Sequence, residues 1–147
     1  MKGRSIETRL HQRLIDRWYV DAMLLADEGR SYFDGVGRLE REVLGPMARV
    51  AFSCEALMVT TRLMHVIAWL LTQRAVETGE LEAARRLGRA AVSETSAIAA
   101  MPAQAQILIH ASLELYWRVA RLDALIAGEL EHASPARSML DRPAIAF

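Results

Sequence analysis

The sequence predicts an all-α fold, an antiparallel three-helix bundle with long helices, a short extra helix and a flexible C-terminal tail. Three observations lead there. Apolar residues recur at spacings of three and four along three long stretches. Punctuation is sparse, with 8 Gly and 4 Pro in 147 residues. The apolar set makes up 52% of the chain, enough for one hydrophobic core and too much for a disordered polymer. The expected organisation is a helical bundle over residues 1–131 and a tail over 132–147.

The first long helix is expected from about Ser5, as N-cap with Thr8 three residues on, to about Phe33. At 100° per residue Leu10, Leu14, Ile15, Trp18, Ala22, Leu25, Gly29, Tyr32 and Phe33 share one arc, with Arg9, Arg13 and Arg17 behind it. Asp34-Gly35-Val36-Gly37 then supplies turn chemistry, and a loop is expected to follow.

The second long helix starts at Pro46, because proline at the first helical position gives up an N–H that has no partner there. It runs to about Thr78, with Gly79 as its stop. Phe52, Ala56, Val59, Leu63, Val66, Ile67 and Leu70 form its core stripe, and Leu57, Met64 and Leu71 extend the apolar arc to about half the circumference. On the remaining side Met58, Trp69 and Val76 fall together, flanked by Arg62, His65 and Gln73. This strip reads as a surface for a partner.

A short helix is expected over Glu80 to Leu87, followed by an Ala- and Ser-rich loop from Gly88 to Pro102. The last long helix runs from about Ala103 to about Leu130 on core positions Leu108, Ser112, Leu115, Val119, Leu122 and Ile126. Its far side carries a second apolar face of Leu113, Trp117, Ala120 and Ala124, whose alanines allow another helix to come close. Beyond Glu131 the chain has two prolines and no amphipathic period.

Eighteen basic and eighteen acidic residues cancel, so no net field draws the chain to nucleic acid or an anionic membrane. The densest basic cluster, Arg85, Arg86 and Arg89, is balanced by Glu77, Glu80 and Glu82. One cysteine, Cys54, leaves no internal disulfide and no multi-Cys zinc site, which suits the cytoplasm. The N-terminus lacks the apolar core of a secretory signal, and Leu57 to Leu71, interrupted by Arg62 and His65, falls short of a bilayer span. No membrane insertion is expected.

The residues offer no catalytic set. His65 and Cys54 are eleven residues apart, and His110 with Glu114 has the i, i+4 spacing of a metal or acid–base pair but no further ligands. There is no phosphate loop, nucleophile elbow or duplicated Glu-x-x-His. No cofactor and no metal are expected. Two other classes stay open. A small all-α ligand-binding enzyme of the chorismate-mutase kind would gather at least two of Arg62, Arg74 and Arg121 in one cavity. A DNA-binding regulator would bind with a steep salt dependence.

The segments Tyr32-Phe33-Asp34-Gly35-Val36-Gly37-Arg38 and Thr60-Thr61-Arg62-Leu63-Met64-His65-Val66-Ile67-Ala68-Trp69-Leu70-Leu71-Thr72-Gln73-Arg74-Ala75-Val76, with Arg118-Val119-Ala120-Arg121-Leu122-Asp123, resemble those of one family. It is the alphaproteobacterial regulator of CtrA degradation (RcdA) family, formerly a domain of unknown function. The resemblance implies a three-helix bundle, commonly a homodimer, that acts without chemistry of its own. It implies an adaptor that helps deliver cell-cycle regulators to the ClpXP protease together with a response-regulator-type partner. On that reading the two extra faces, Met58, Arg62, His65, Trp69, Gln73 and Val76 on one helix and Leu113, Trp117, Ala120 and Ala124 on the other, are the protein–protein interface candidates.

Overall fold

The computed structural model describes residues 2–132, so the expected tail lies outside the described residues. Five helices follow in order: α1 Lys2–Asp34, α2 Val36–Val43, α3 Pro46–Glu77, α4 Thr95–Ala99 and α5 Ala103–His132. The long helices α1, α3 and α5 enclose one core. Ile15 and Ala22 of α1, Val59, Leu63, Val66 and Leu70 of α3, and Leu108, Ile109 and Val119 of α5 are its most buried members.

Cross-contacts fix the helix directions. Phe33 packs edge-on to Phe52 while Asp16 pairs with Arg74, so α1 runs antiparallel to α3. Arg62 reaches Ser112 and Trp69 reaches Asp123, so α5 runs parallel to α3 and antiparallel to α1. A connection between parallel helices must return along the bundle, and residues 80–94 do so without regular structure.

This strap replaces the helix expected over 80–87, and its reach explains why. It leaves α3 where Glu80 N–H donates to Ala75 O and arrives where the Ser93 hydroxyl donates to Glu55. Those points are about 30 Å apart along α3 at 1.5 Å per residue, so the strap advances about 2 Å per residue, more than a helix rises. The short extra helix forms later, as α4, where Ile98 and the following Met101 bury their side chains.

The helix stops are those that Pro46, Gly79 and Pro102 dictate. Pro46 opens α3 and Gly79, at φ +80°, ends it after the Thr78 cap. At the amino end α1 begins at Lys2, ahead of Ser5, so Ser5 is not its cap. After α1 the expected loop is instead α2. Neither Gly35 nor Gly37 has positive φ. Their role is close approach: a Cβ on Gly35 would lie 2.8 Å from Ser31 O, and one on Gly37 would lie 2.7 Å from Tyr32 O. The Tyr32 hydroxyl donates to Glu40 across the same junction, and burial, aided by this bond and the Glu40 charge, raises its pKa.

Several residues of the expected apolar arcs face outward. Leu10 and Leu14 of α1 are exposed, as are Leu57, Met64 and Leu71 of α3. The buried arc of α3 is turned toward α1, α5 and the strap, and on the side of α5 and the strap it takes in Glu55, Arg62, Trp69 and Gln73. By length and composition α3 could cross a bilayer, contrary to the expectation from Leu57 to Leu71, but here it is the central helix of the core.

Candidate functional site

The inner strip of α3 lies under the strap. Trp69 is 3% exposed, Arg62 0%, Gln73 is buried, and Met58, His65 and Val76 are half-buried. The strip was expected to be open to a partner. In the structure the chain's own residues 80–94 cover it, through three polar nodes and one close steric fit.

At the first node the Trp69 indole N–H donates to Asp123 Oδ1 at 2.9 Å, and Arg86 Nε donates to Oδ2 at 2.9 Å. A buried carboxylate is stable there because each oxygen receives a donor, one from α3 and one from the strap. At the second the Tyr116 hydroxyl donates to Gly88 O at 2.7 Å and accepts from Ala90 N–H at 3.1 Å, satisfying two strap backbone groups. The third centres on Arg62, expected to snorkel or to face a partner, which is instead buried and internally paired. Its Nη1 donates to Ser112 Oγ at 3.1 Å and its Nη2 to Ser93 Oγ, and Glu55 Oε2 lies 3.8 Å from Nη2. Burial pushes the guanidinium below its ordinary pKa and Glu55 pulls it back, yet arginine stays cationic. Its Nε has no hydrogen-bond partner among the described residues. Between the nodes, His65 packs on Gly88, where a Cβ would fall 2.2 Å from Nδ1.

The α5 face is disposed differently. Trp117 is 53% exposed, Ala124 is exposed, and Leu113 and Ala120 are half-buried. Trp117 stands edge-on to Tyr116 at 5.6 Å between ring centroids. Leu113 and Trp117 meet Arg62 and strap residues 90–93 around a cavity of about 160 Å³, so residues from both sequence strips share one lining.

A third surface escaped the sequence reading. Val50, Leu57, Met64 and Leu71 repeat every seven residues on the outer side of α3, and Leu57 and Met64 are 68% and 65% exposed. From Val50 to Gln73 only Glu55 and Arg62 carry full charge, and both point inward. The outer face is therefore apolar or small and uncharged over about six helical turns. Beside it Leu57 and Met64 border a groove of about 470 Å³ between α1 and α3. Val36, Leu39 and Val43 of α2 also point outward. The seven-residue spacing is the available signal, hidden because Leu57, Met64 and Leu71 read as a widening of the apolar arc beside the core stripe.

The arginines of the enzyme alternative do not converge. Arg62 is buried between α3 and α5, Arg74 is exposed against Asp16 and the Tyr19 ring, and Arg121 is exposed on α5. Glu114 pairs with Arg118. Among the described residues no three His, Cys, Asp or Glu side chains are grouped as a metal site needs. Arg85 and Arg89 are exposed, while Arg86 is held by Asp123.

No curated protein matches the chain. Among solved structures the chain is similar to the crystal structure of RcdA from Caulobacter crescentus CB15, with 39% sequence identity and a TM-score of 0.61 over 75% of this chain and 88% of that one. A family model described as "Protein of unknown function (DUF1465)" matches residues 6–147. The chain belongs to that family, the one that includes RcdA.

Proposed function

We propose that the protein is a cytoplasmic, non-catalytic adaptor in regulated proteolysis, which helps deliver cell-cycle regulators to ClpXP by protein–protein docking. Membership of the RcdA family supports the role, and one observation carries the mode of action: an uncharged outer face on α3 that, among the described residues, no other element covers. An exposed apolar surface of that length costs solubility unless another protein buries it. The physics of such an adaptor is effective concentration, in which client and protease held on one body meet as if tethered.

In this reading the protein is a homodimer built on Val50, Leu57, Met64 and Leu71, whose spacing suits a seam with a second copy of α3. Leu113, Trp117, Ala120 and Ala124 are left for ClpX or a response-regulator-type adaptor, and the client regulator joins that assembly. Met58, Arg62, His65, Trp69, Gln73 and Val76 act from beneath, seating the strap that borders the same face.

Affinity capture from host extract, with mass spectrometry of the retained proteins, tests the proposal. Enrichment of ClpX and a receiver-domain protein by the wild type, lost in Trp117→Glu, is expected. Recovery of neither from cells that contain both contradicts it.

A further inference from the structure

A second cavity under the strap lies where the strap leaves α3. It holds about 200 Å³ between residues 82–86 and the carboxyl-terminal turns of α3 and α5, and Val76, Ala83, Ala84, Ile126, Ala127 and Leu130 make its walls largely apolar. Gln73 completes the α3 side and is only 9% exposed. Its carboxamide has no hydrogen-bond partner among the described residues. Neither amide atom is sealed from solvent, because the fully buried polar atoms without a partner are the Nε atoms of Arg41, Arg49 and Arg62. Gln73 therefore offers one open acceptor and one open donor group to an apolar cavity. A ligand that answers both recovers free energy that water, held between apolar walls, supplies poorly.

Charge, size and pairing narrow the ligand. Asp123 already accepts from Trp69 and Arg86, and Glu82 balances Arg85 in sign, so the lining rewards neither an anion nor a cation. A dry cavity of roughly 150 Å³ holds a benzene ring, so the present 200 Å³ takes roughly eight to ten heavy atoms. A carboxylate brings Gln73 no donor and an ammonium brings no acceptor, so each answers half of it. A carboxamide, with its C=O beside an N–H, answers both halves at once. A pyrimidine base has the same edge but would turn further polar atoms toward apolar walls.

We infer that this cavity is a binding site for a small neutral carboxamide with an apolar body, the amide pairing with the Gln73 side chain and the body resting against Ala84, Ile126 and Ala127. Because residues 82–86 form one wall, a bound carboxamide also holds the strap against α3 and α5.

The test is a ¹H–¹⁵N NMR titration of the full-length protein. The probes are benzamide, acetophenone, which has a methyl group in place of the amide nitrogen, and uracil. A saturable shift of the Gln73 side-chain NH₂ signals and of the Ala84 and Ala127 backbone amides is expected with benzamide, and acetophenone and uracil should each bind at least threefold more weakly. Gln73→Met keeps the length of the side chain and breaks no hydrogen bond within the described residues, and in it the preference for benzamide over acetophenone should disappear. Ala127→Leu fills the cavity from a half-buried helical position, leaves Gln73 in place, and should weaken benzamide binding at least tenfold. No saturable shift up to about 20 mM benzamide overturns the inference. So does acetophenone or uracil binding as tightly as benzamide, a preference that survives in Gln73→Met, or an unchanged Kd in Ala127→Leu.

Discussion

Replacing Asp123 with alanine isolates what holds the strap to the bundle. The substitution removes the acceptor of the Trp69 indole N–H and the partner of Arg86 together. The two losses are unequal. Trp69 is 3% exposed, so its orphaned N–H carries a desolvation penalty of about 1–3 kcal/mol. The Arg86 side chain is 65% exposed and solvent screens its ion pair, so that contact adds at most about 0.5 kcal/mol. The total, about 1–3.5 kcal/mol, lowers Tm by about 3–12 °C in a domain of this size. Thermal denaturation followed by circular dichroism, at one fixed protein concentration because association also stabilises, measures it. Limited trypsin digestion reads the local effect: freed of Asp123, the strap should be cut at Arg85, Arg86 or Arg89 several times faster. The decisive control is a double-mutant cycle with Trp69→Phe, which loses packing in either background but also deletes the orphaned donor in Asp123→Ala, so it should cost less there than in the wild type by about 1 kcal/mol or more. Asp123→Ala with unchanged Tm and trypsin rate, or Trp69→Phe costing as much in the Asp123→Ala background as in the wild type, refutes the reasoning.

Other outcomes follow from the same contacts. Leu57→Asp with Met64→Asp puts charge on the uncharged face of α3, and sedimentation should show the mass falling from about twice 16.4 kDa to one copy with helicity unchanged. Gly88→Ala drives a Cβ onto the His65 ring and should cost about 1–3 kcal/mol in urea denaturation, with His65→Ala in the same chain restoring most of it. Glu77 ends α3, and burial, Asp16 and the negative helix end all disfavour its charge, raising its pKa against the pull of Arg74 and His11. A carboxyl whose pKa is raised on folding favours the folded state at low pH, and that advantage is lost as pH rises from the unfolded value near 4.5 through the higher folded one. Glu77→Gln should therefore raise Tm at pH 7, and the difference should vanish by about pH 4.

Helix boundaries were legible where the sequence carries backbone chemistry: Pro46 and Gly79 bound α3, and Pro102 precedes α5. The core stripes were legible where one face meets two neighbours, as for Val59, Leu63, Val66 and Leu70. Two glycines hid α2, because Gly35 and Gly37 look like a turn when they in fact allow a tight helix junction against Ser31 and Tyr32. The strap was illegible for a different reason. Residues 80–94 are held by single side chains reaching from α3 and α5, and such bonds leave no period in the strap's own sequence. Trp69 and Arg62 were therefore noticed as anomalies on their helix, but the element that explains them was not. Leu57, Met64 and Leu71 widen the apolar arc in the sequence without showing that they lie open, because periodicity reports an apolar face without saying what covers it.

Degradation kinetics with purified host ClpXP and a client recovered by affinity capture test the adaptor reading most directly. At client concentrations below saturation, together with the captured receiver-domain protein, the wild-type chain should accelerate degradation severalfold, and Trp117→Glu should return the rate to that of ClpXP without the adaptor. A rate that is the same with and without the wild-type protein contradicts the account.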